Sequence, residues 1–222
     1  MQTFDTPAPV ATLLDIPAGR IRVIAAERSD TRVEILPADA SKGRDVKAAD
    51  QTTVSYDDGV LRIEAPAARN QYFGPSGSVE MTVQLPAGSR VEAKAAAAEF
   101  RGVGRLGDVV LDAAQGPVRL DETASARLTV LDGDVSIGRL GGPAEISTQR
   151  GDIRIAEAVG GTVVLSTQMG DVAVDAARGV SASLDAGTGY GRIHNALRNA
   201  DGAAGLAIRA TTSHGDITAR SL

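Results

Sequence analysis

The sequence of 222 residues contains no cysteine, which excludes disulfide bonds, iron–sulfur clusters and thiolate zinc sites. Tryptophan is absent as well, and three Phe and three Tyr bring the aromatic content to only 3%. Because alanine is the commonest residue and glycine occurs 25 times, small and β-branched side chains must fill most of the interior. We therefore expect a thin core and not a broad globular one.

Runs of basic residues are also missing, and the formal net charge is −5. A protein that binds nucleic acid needs a basic surface, so this class of partner is not expected. No stretch approaches 18 apolar residues, and the first residues lack the basic and apolar regions of a signal peptide. The sequence accordingly predicts a chain with no membrane segment and a cytoplasmic location.

What the sequence does contain is a repeat. Six glycines recur at intervals of 17 to 24 residues: Gly116, Gly133, Gly151, Gly170, Gly191 and Gly215. The positions five and seven residues before each glycine are apolar in all six copies, and so are the positions two and four residues after it, with Asn195 as the exception. The positions between them are mostly polar or small, and this period of two predicts a short strand on each side of the glycine.

One copy cannot form an independent sheet, because an isolated pair of short strands is marginal in water. Stacked copies, each forming one coil, would place their inward residues over one another at about 4.8 Å and build a continuous core between two sheets. Large and small residues also compensate, as in Ile146 with Ala144. We predict that residues 91–222 form a two-sheet β-solenoid of about six coils, with Leu128, Ile146 and Leu165 in one file. A sandwich of ordinary hairpins is the alternative.

Residues 1–90 also alternate, but without a fixed period, and turn sequences such as Asp57-Asp58-Gly59 interrupt them. They are predicted to form a cap rich in antiparallel hairpins that is continuous with the solenoid and covers its first coil. The fold class predicted for the whole chain is therefore all-β.

Four of the corners share the pattern Gly-Asp-aliphatic-x-aliphatic, and they begin at Gly133, Gly151, Gly170 and Gly215. With the Ser-Thr-Gln segments that begin at Ser147 and Ser166, they resemble the bacterial β-strand-repeat family, a domain of unknown function that carries the label "putative adhesin". The resemblance covers nearly the whole chain. It implies a right-handed β-helical domain of bacterial origin and no established catalytic residues.

The acidic residues of these corners are Asp134, Asp152, Asp171 and Asp216. A column of carboxylates could bind calcium between coils, but calcium-binding repeats place Gly and Asp every nine residues, about half the spacing seen here. The favoured interpretation is structural: each Asp closes its own turn by bonding the backbone two residues on. Neither calcium nor another metal is expected.

Other chemistry-bearing patterns are weak. The Gly102-Val-Gly-Arg-Leu-Gly107 segment matches a dinucleotide fingerprint, but a strand follows it where the fingerprint needs a helix. His194 and His214 fall in different copies and are predicted to be surface residues. We therefore expect no cofactor, no catalytic residues and no enzymatic activity.

Two loops stand out. Residues 68–77 contain Arg69, Tyr72 and Phe73, the composition of an interface anchor, although a loop folded over the edge of the cap is an equal alternative. Residues 196–205 lengthen the last repeat and are expected to lie as a flap near its edge. Only three residues follow the last apolar column, so the last coil is expected to leave a sheet edge uncovered, and such an edge invites another chain.

The sequence thus predicts a non-catalytic structural or protein-interaction module that associates with itself or with a protein partner. The alternative is a carbohydrate-binding or carbohydrate-active solenoid with Glu145 and Asp185 as a carboxylate pair. In sequential stacking these residues lie two coils apart, at about 9.6 Å, near the range of inverting glycosidases.

Overall fold

The computed structural model describes residues 1–66, 77–199 and 204–222. It divides into two compact units, residues 1–116 and 117–222, each of which is built mainly of β-strands. The division between cap and solenoid at residue 90 is not tested by these units and stays a prediction.

Where the structure describes it, unit 1 consists of eight strands and one helix. The strands are β1 (Gln2–Asp5), β2 (Ala11–Asp15), β3 (Ala18–Ala26), β4 (Asp30–Pro37), β5 (Thr53–Asp57), β6 (Val60–Glu64), β7 (Val79–Pro86) and β8 (Arg90–Gln115), and the helix is α1 (Gly43–Gln51). Strand β8 is long enough to pair with β2 through its first residues and with β3 further along.

The predicted hairpin at the Asp-Asp-Gly turn is confirmed. Strands β5 and β6 pair antiparallel on either side of Asp58 and Gly59, whose φ angles of 45° and 77° are both positive. Strand β4 also pairs antiparallel with β1 and β7. Strands β2 and β3, by contrast, pair in parallel, β2 with β6 and β8, and β3 with β7 and β8. Hairpins were expected there, but alternation of apolar residues is the same in both kinds of pairing.

The described residues of unit 2 form ten strands. They are β9 (Val118–Asp132), β10 (Val135–Leu140), β11 (Ala144–Arg150), β12 (Ile153–Ala158), β13 (Gly161–Met169), β14 (Val172–Ala176), β15 (Ala182–Tyr190), β16 (Ile193–Ala196), β17 (Leu206–His214) and β18 (Ile217–Ser221). Every pairing found among them is parallel, which rules out the sandwich of hairpins for this unit. Coils 2 to 6 are centred on Gly133, Gly151, Gly170, Gly191 and Gly215.

The predicted file of apolar residues is confirmed. Ile146 lies in register with Leu128 on one side and with Leu165 on the other. Their exposed fractions are 0% for Leu128 and 1% for each of the others. A second buried file runs through the strands that follow the glycines: Val118, Val135, Ile153, Val172 and Ile217. The core of unit 2 is therefore a ribbon of stacked small and aliphatic side chains.

The stacking order differs from the order along the chain. Strand β17 pairs with β13 on one side and with β15 on the other, and β18 lies in the same way between β14 and β16. Coil 6 is thus inserted between coils 4 and 5. The expectation that coil 6 leaves an uncovered edge is wrong, since coil 5 occupies the end of the stack.

The Gly-Asp corners explain this order. The Oδ1 atom of Asp171 accepts a hydrogen bond of 2.7 Å from the backbone N–H of Asp216 in coil 6. Asp216 Oδ1 in turn accepts a bond of 2.8 Å from the N–H of Arg192 in coil 5. These bonds form a ladder in which each Asp accepts from the backbone of the next coil. Arg192 stands at the Asp position of coil 5 and has no carboxylate to accept a further bond, so coil 5 fits best at the end of the stack.

An ion pair fastens coil 6 to coil 4. The guanidinium of Arg220 donates hydrogen bonds of 2.7 and 2.8 Å to the two carboxylate oxygens of the buried Asp175. These bonds raise the pKa of the Arg220 guanidinium above its ordinary value. Arg220 and Asp175 therefore form a bidentate ion pair that links β18 to β14.

We expect Arg220→Ala to lower the melting temperature by about 4–8 °C, because it leaves the buried Asp175 carboxylate without its cation. The control is Arg127→Ala, which removes the exposed pair between Arg127 and Glu145 and should shift the melting temperature by less than about 2 °C. Circular dichroism melting curves measure both. Equal shifts would show that the pair of Arg220 with the buried Asp175 stabilises the protein no more than an exposed pair does.

Candidate interaction site at the edge of unit 2

The candidate site is coil 5, formed by β15 and β16, which we term the edge coil. Among the described residues, strands pair with only one side of it: β17 with β15, and β18 with β16. A strand edge presents backbone N–H and C=O groups that can accept another chain. The edge coil presents two such edges, one in each sheet.

The interior of the stack is open at the edge coil. Ile193 continues the file that contains the buried Ile217, yet the residue is 46% exposed. In the other sheet Ala210 is fully buried, whereas its neighbour Ala186 and the nearby Leu184 are only half-buried. These residues face inward and are exposed only because the stack ends here.

The backbone of β15 shows which groups face outward. The C=O of Ser181 accepts a bond of 3.1 Å from Leu206 of β17, whereas the N–H of Ala182 donates in another direction, to the C=O of Arg198 at 3.3 Å. Residues of a parallel strand alternate in the side to which their N–H and C=O point. The backbone groups of Leu184, Ala186 and Thr188 therefore point away from β17, toward the open edge.

The segment after β16 lies against the beginning of the edge coil, and not at an uncovered edge of coil 6, where the flap was predicted. Besides the contact to Ala182, the N–H of Arg198 donates a bond of 2.9 Å to Ser221 Oγ, and the side chains of Ser181 and Asn199 are hydrogen-bonded. Residues 200–203 of the predicted flap lie outside the described residues. The described contacts involve the first residues of β15 and not its centre.

A row of exposed side chains leads along the corner to the edge coil. Met169, His214 and Tyr190 are in register across β13, β17 and β15. Met169 is 56% exposed and Tyr190 is 74% exposed, and the rings of Tyr190 and His214 stack with centroids 5.0 Å apart. Tyr190 does not belong to any of the interface segments predicted from the sequence. One feature of the sequence does mark Tyr190. It precedes Gly191, the one repeat glycine after Gly116 that is not followed by Asp.

The interface residues predicted from the sequence, Arg69, Tyr72 and Phe73, lie outside the described residues, so the structure does not test them. His194, predicted to be a surface residue, lies in β16 and is exposed. The Gly102–Gly107 match lies within β8, which is a strand as expected.

The Asp side chains of the corners accept hydrogen bonds from the backbone of the neighbouring coil and not from that of their own turn. Asp134 Oδ1 accepts from the N–H of Asp152 at 2.9 Å, and Asp152 Oδ1 accepts from the N–H of Asp171 at 2.8 Å. The predicted bond to the residue two positions on is therefore corrected: the acceptor serves the next coil. Within the described ranges, no group of three His or acidic side chains is arranged to hold a metal ion.

The carboxylate pair of the carbohydrate alternative is further apart than expected. Because coil 6 is inserted, Glu145 and Asp185 are three strand spacings apart, or about 14 Å. This exceeds the 6.5–9.5 Å of inverting glycosidases. Glu145 is also paired with Arg127 at 3.4 Å.

The family model of Toastrack DUF4097 matches residues 14–220, nearly the whole chain. The chain belongs to the Toastrack DUF4097 family. The resemblance carried by the Gly-Asp corners is thereby confirmed, together with the solenoid-type fold that it implies. No curated protein matches this Toastrack chain. No helix within the described residues is both long and apolar enough to cross a membrane.

Solved structures similar to this Toastrack chain include two "putative adhesins". One, from Bacteroides fragilis NCTC 9343, is described as a "putative adhesin"; it is 14% identical, with 98% of this chain and 95% of that chain covered and a TM-score of 0.54. The other, a "putative adhesin" from Parabacteroides distasonis ATCC 8503, is 15% identical, with the same coverage and a TM-score of 0.53. At these identities the likeness shows the fold alone.

Proposed function

We propose that this Toastrack chain is a non-catalytic protein-interaction module that binds its partner by strand addition at the edge coil. Self-association through sheet edges is one form of this function. The adhesin description of the two similar structures agrees with an interaction role. The cytoplasmic location predicted from the sequence stays a prediction.

The observation that carries the proposal is that coil 5 ends the stack with its inward side chains exposed. Ile193 would be buried by one further coil, just as Ile217 is buried between its own neighbours. A bound strand would use the outward backbone groups of Leu184, Ala186 and Thr188, and main-chain hydrogen bonds would supply its affinity. A protein partner therefore fits this edge better than a carbohydrate, for which the pair of Glu145 and Asp185 is too widely spaced.

A synthetic peptide with the sequence of β17 tests the proposal, because that sequence already pairs in register with the other side of β15. The full chain is kept dilute enough to be monomeric by light scattering, and amide hydrogen exchange is followed by NMR. We expect saturating peptide to slow exchange at Leu184, Ala186 and Thr188 at least tenfold. Amides of β11, in the middle of the stack, should not change.

Two variants sharpen the measurement. Ala186→Pro removes an N–H that points to the open edge and should abolish the protection, while leaving the pairing with β17 intact. Val164→Lys places a charge on the outer face of β13 and should bind the peptide normally. Failure of the peptide to protect β15 at about 1 mM, or equal protection in Ala186→Pro, would overturn the proposed function.

A further inference from the structure

We propose that the occupant of the edge coil is a second copy of this chain, paired with the first across a two-fold axis that passes beside Ala186. This inference rests on the proposed function, since it needs the edge coil to be a binding surface. It adds the identity of the partner, the direction of pairing and the register.

The edge coil has two unpaired strand edges, one in β15 and one in β16, and this arrangement favours a second copy of the chain as the partner. A single added strand would cover one sheet and leave the other edge and part of the open core exposed. The edge coil of another copy presents the same two edges at the same separation, about 10 Å for stacked sheets. A two-fold axis perpendicular to both sheets pairs the centre of β15, which lies beyond the contact between Ala182 and Arg198, with the centre of the partner's β15, and it brings β16 onto the partner's β16, so the two cores become continuous. In such a contact both copies use the same surface, so the assembly stops at a dimer.

The backbone fixes the register. A two-fold axis makes the two β15 strands antiparallel, and in an antiparallel pair the residues with outward N–H and C=O groups exchange both hydrogen bonds. With the axis at Ala186, this residue faces Ala186 of the partner subunit and Leu184 faces the partner's Thr188. All three are residues whose backbone groups point to the open edge, so every donor on this stretch meets an acceptor.

The side chains fit the same register. On the outer face of β15, Asp185 faces the partner's Gly187, and Ser183 faces the partner's Gly189. The two Asp185 carboxylates therefore do not oppose one another, although like charges on opposed positions are unfavourable. On the inner face the small side chains of Ala186 and Thr188, with Leu184, cover the open end of the core. A shift of the axis by one residue to Asp185 would bring the two carboxylates together.

Gly187 gives a matched pair of variants. A Cβ at this position meets no other heavy atom within 4 Å, so we expect substitutions there to leave the monomer folded. Gly187→Lys places an ammonium opposite Asp185 of the partner subunit twice per dimer, whereas Gly187→Asp places a carboxylate there. By sedimentation equilibrium in low salt we expect Gly187→Lys to dimerise about fivefold more tightly than the wild type and Gly187→Asp about fivefold more weakly.

The absence of cysteine allows a direct check of the axis. Ala186→Cys carries the only thiol of the chain, and a residue on the axis meets its own copy at a Cα separation of about 5.5 Å, within disulfide range. Mild oxidation should convert most of this variant to a covalent dimer, and Val164→Cys, on the outer face of β13, should stay monomeric.

The outcomes separate the two proposals. A wild-type chain that is monomeric at about 1 mM, or Gly187 variants that shift dimerisation in the same direction, would overturn the second copy as partner. If the β17 peptide still protects β15 in that case, the proposed function stands. If neither peptide nor second copy binds, both fail.

Discussion

Replacement of Leu165 by alanine should lower the free energy of unfolding by about 2–5 kcal/mol. Leu165 lies in the middle of the stack, in register with Ile146 and Ala210, and is 1% exposed. Neighbouring coils are held in place by parallel strands on both sides, so they cannot move in to fill the cavity, and the cost adds to that of the lost apolar contacts. Urea unfolding followed by circular dichroism measures the change.

Leu131→Ala is the control for this prediction, because it removes the same atoms from a side chain that is 44% exposed on β9. Its effect should stay within about 0.5 kcal/mol. A loss for Leu165→Ala no larger than for Leu131→Ala would mean that the files of stacked side chains do not carry the stability of unit 2.

Gly151→Ala should cost about 2–4 kcal/mol, the second large effect. Gly151 has a φ of +137°, in a region that side chains rarely adopt, and an added Cβ would lie 2.2 Å from the carbonyl oxygen of Gly133 in the preceding coil. Backbone strain and a clash with a fixed backbone atom therefore act together. The decrease in unfolding free energy is again measured in urea.

Gly187→Ala is the matched change at a glycine that is not constrained. Its Cβ would meet nothing within 4 Å, and alanine in a strand restricts the unfolded chain more than glycine does. The variant should be as stable as the wild type or more stable by up to about 1 kcal/mol. Similar losses for both glycines would indicate that the corners are loose, and that the close approach of consecutive coils is not needed.

The coils of unit 2 could be predicted from the sequence because their signals are local. Apolar residues at fixed distances from a glycine mark strands of period two, and the register of Leu128 with Ile146 follows from aligning the copies. The pairing in unit 1 could not be predicted in the same way. Alternation there marks strands equally well whether β2 and β3 pair in parallel or form hairpins.

The insertion of coil 6 does not follow from the spacing of the repeats, although the sequence contains a signal for it. Arg192 and Asn195 interrupt the columns of Asp and apolar residues, and both belong to the copy that ends the stack. In space the Asp ladder runs without a break from Asp134 through Asp216 to Arg192. An alignment of the copies in chain order does not distinguish such a copy from an imperfect repeat, whereas in the structure the irregular residues belong to the coil that has one neighbour instead of two.

The candidate site depended on this order, so only its general nature could be predicted. An uncovered sheet edge was expected, but at coil 6 and not at coil 5. The aromatic residue at this edge, Tyr190, lies within a strand, where the sequence pattern gives it no prominence, whereas Tyr72 and Phe73 are adjacent in the sequence and so indicate an interface more readily.

Disulfide formation between pairs of introduced cysteines tests the stacking order most directly, since the chain has no other cysteine. Ser166 of β13 lies opposite Thr211 of β17, and their hydroxyl oxygens are 3.3 Å apart. Gly187 of β15 would take the place of Thr211 if the coils stacked in chain order. The structure predicts that Ser166→Cys with Thr211→Cys oxidises readily to an intramolecular disulfide and that Ser166→Cys with Gly187→Cys does not. The reverse result would contradict the inserted coil and, with it, the edge coil on which the proposed function depends.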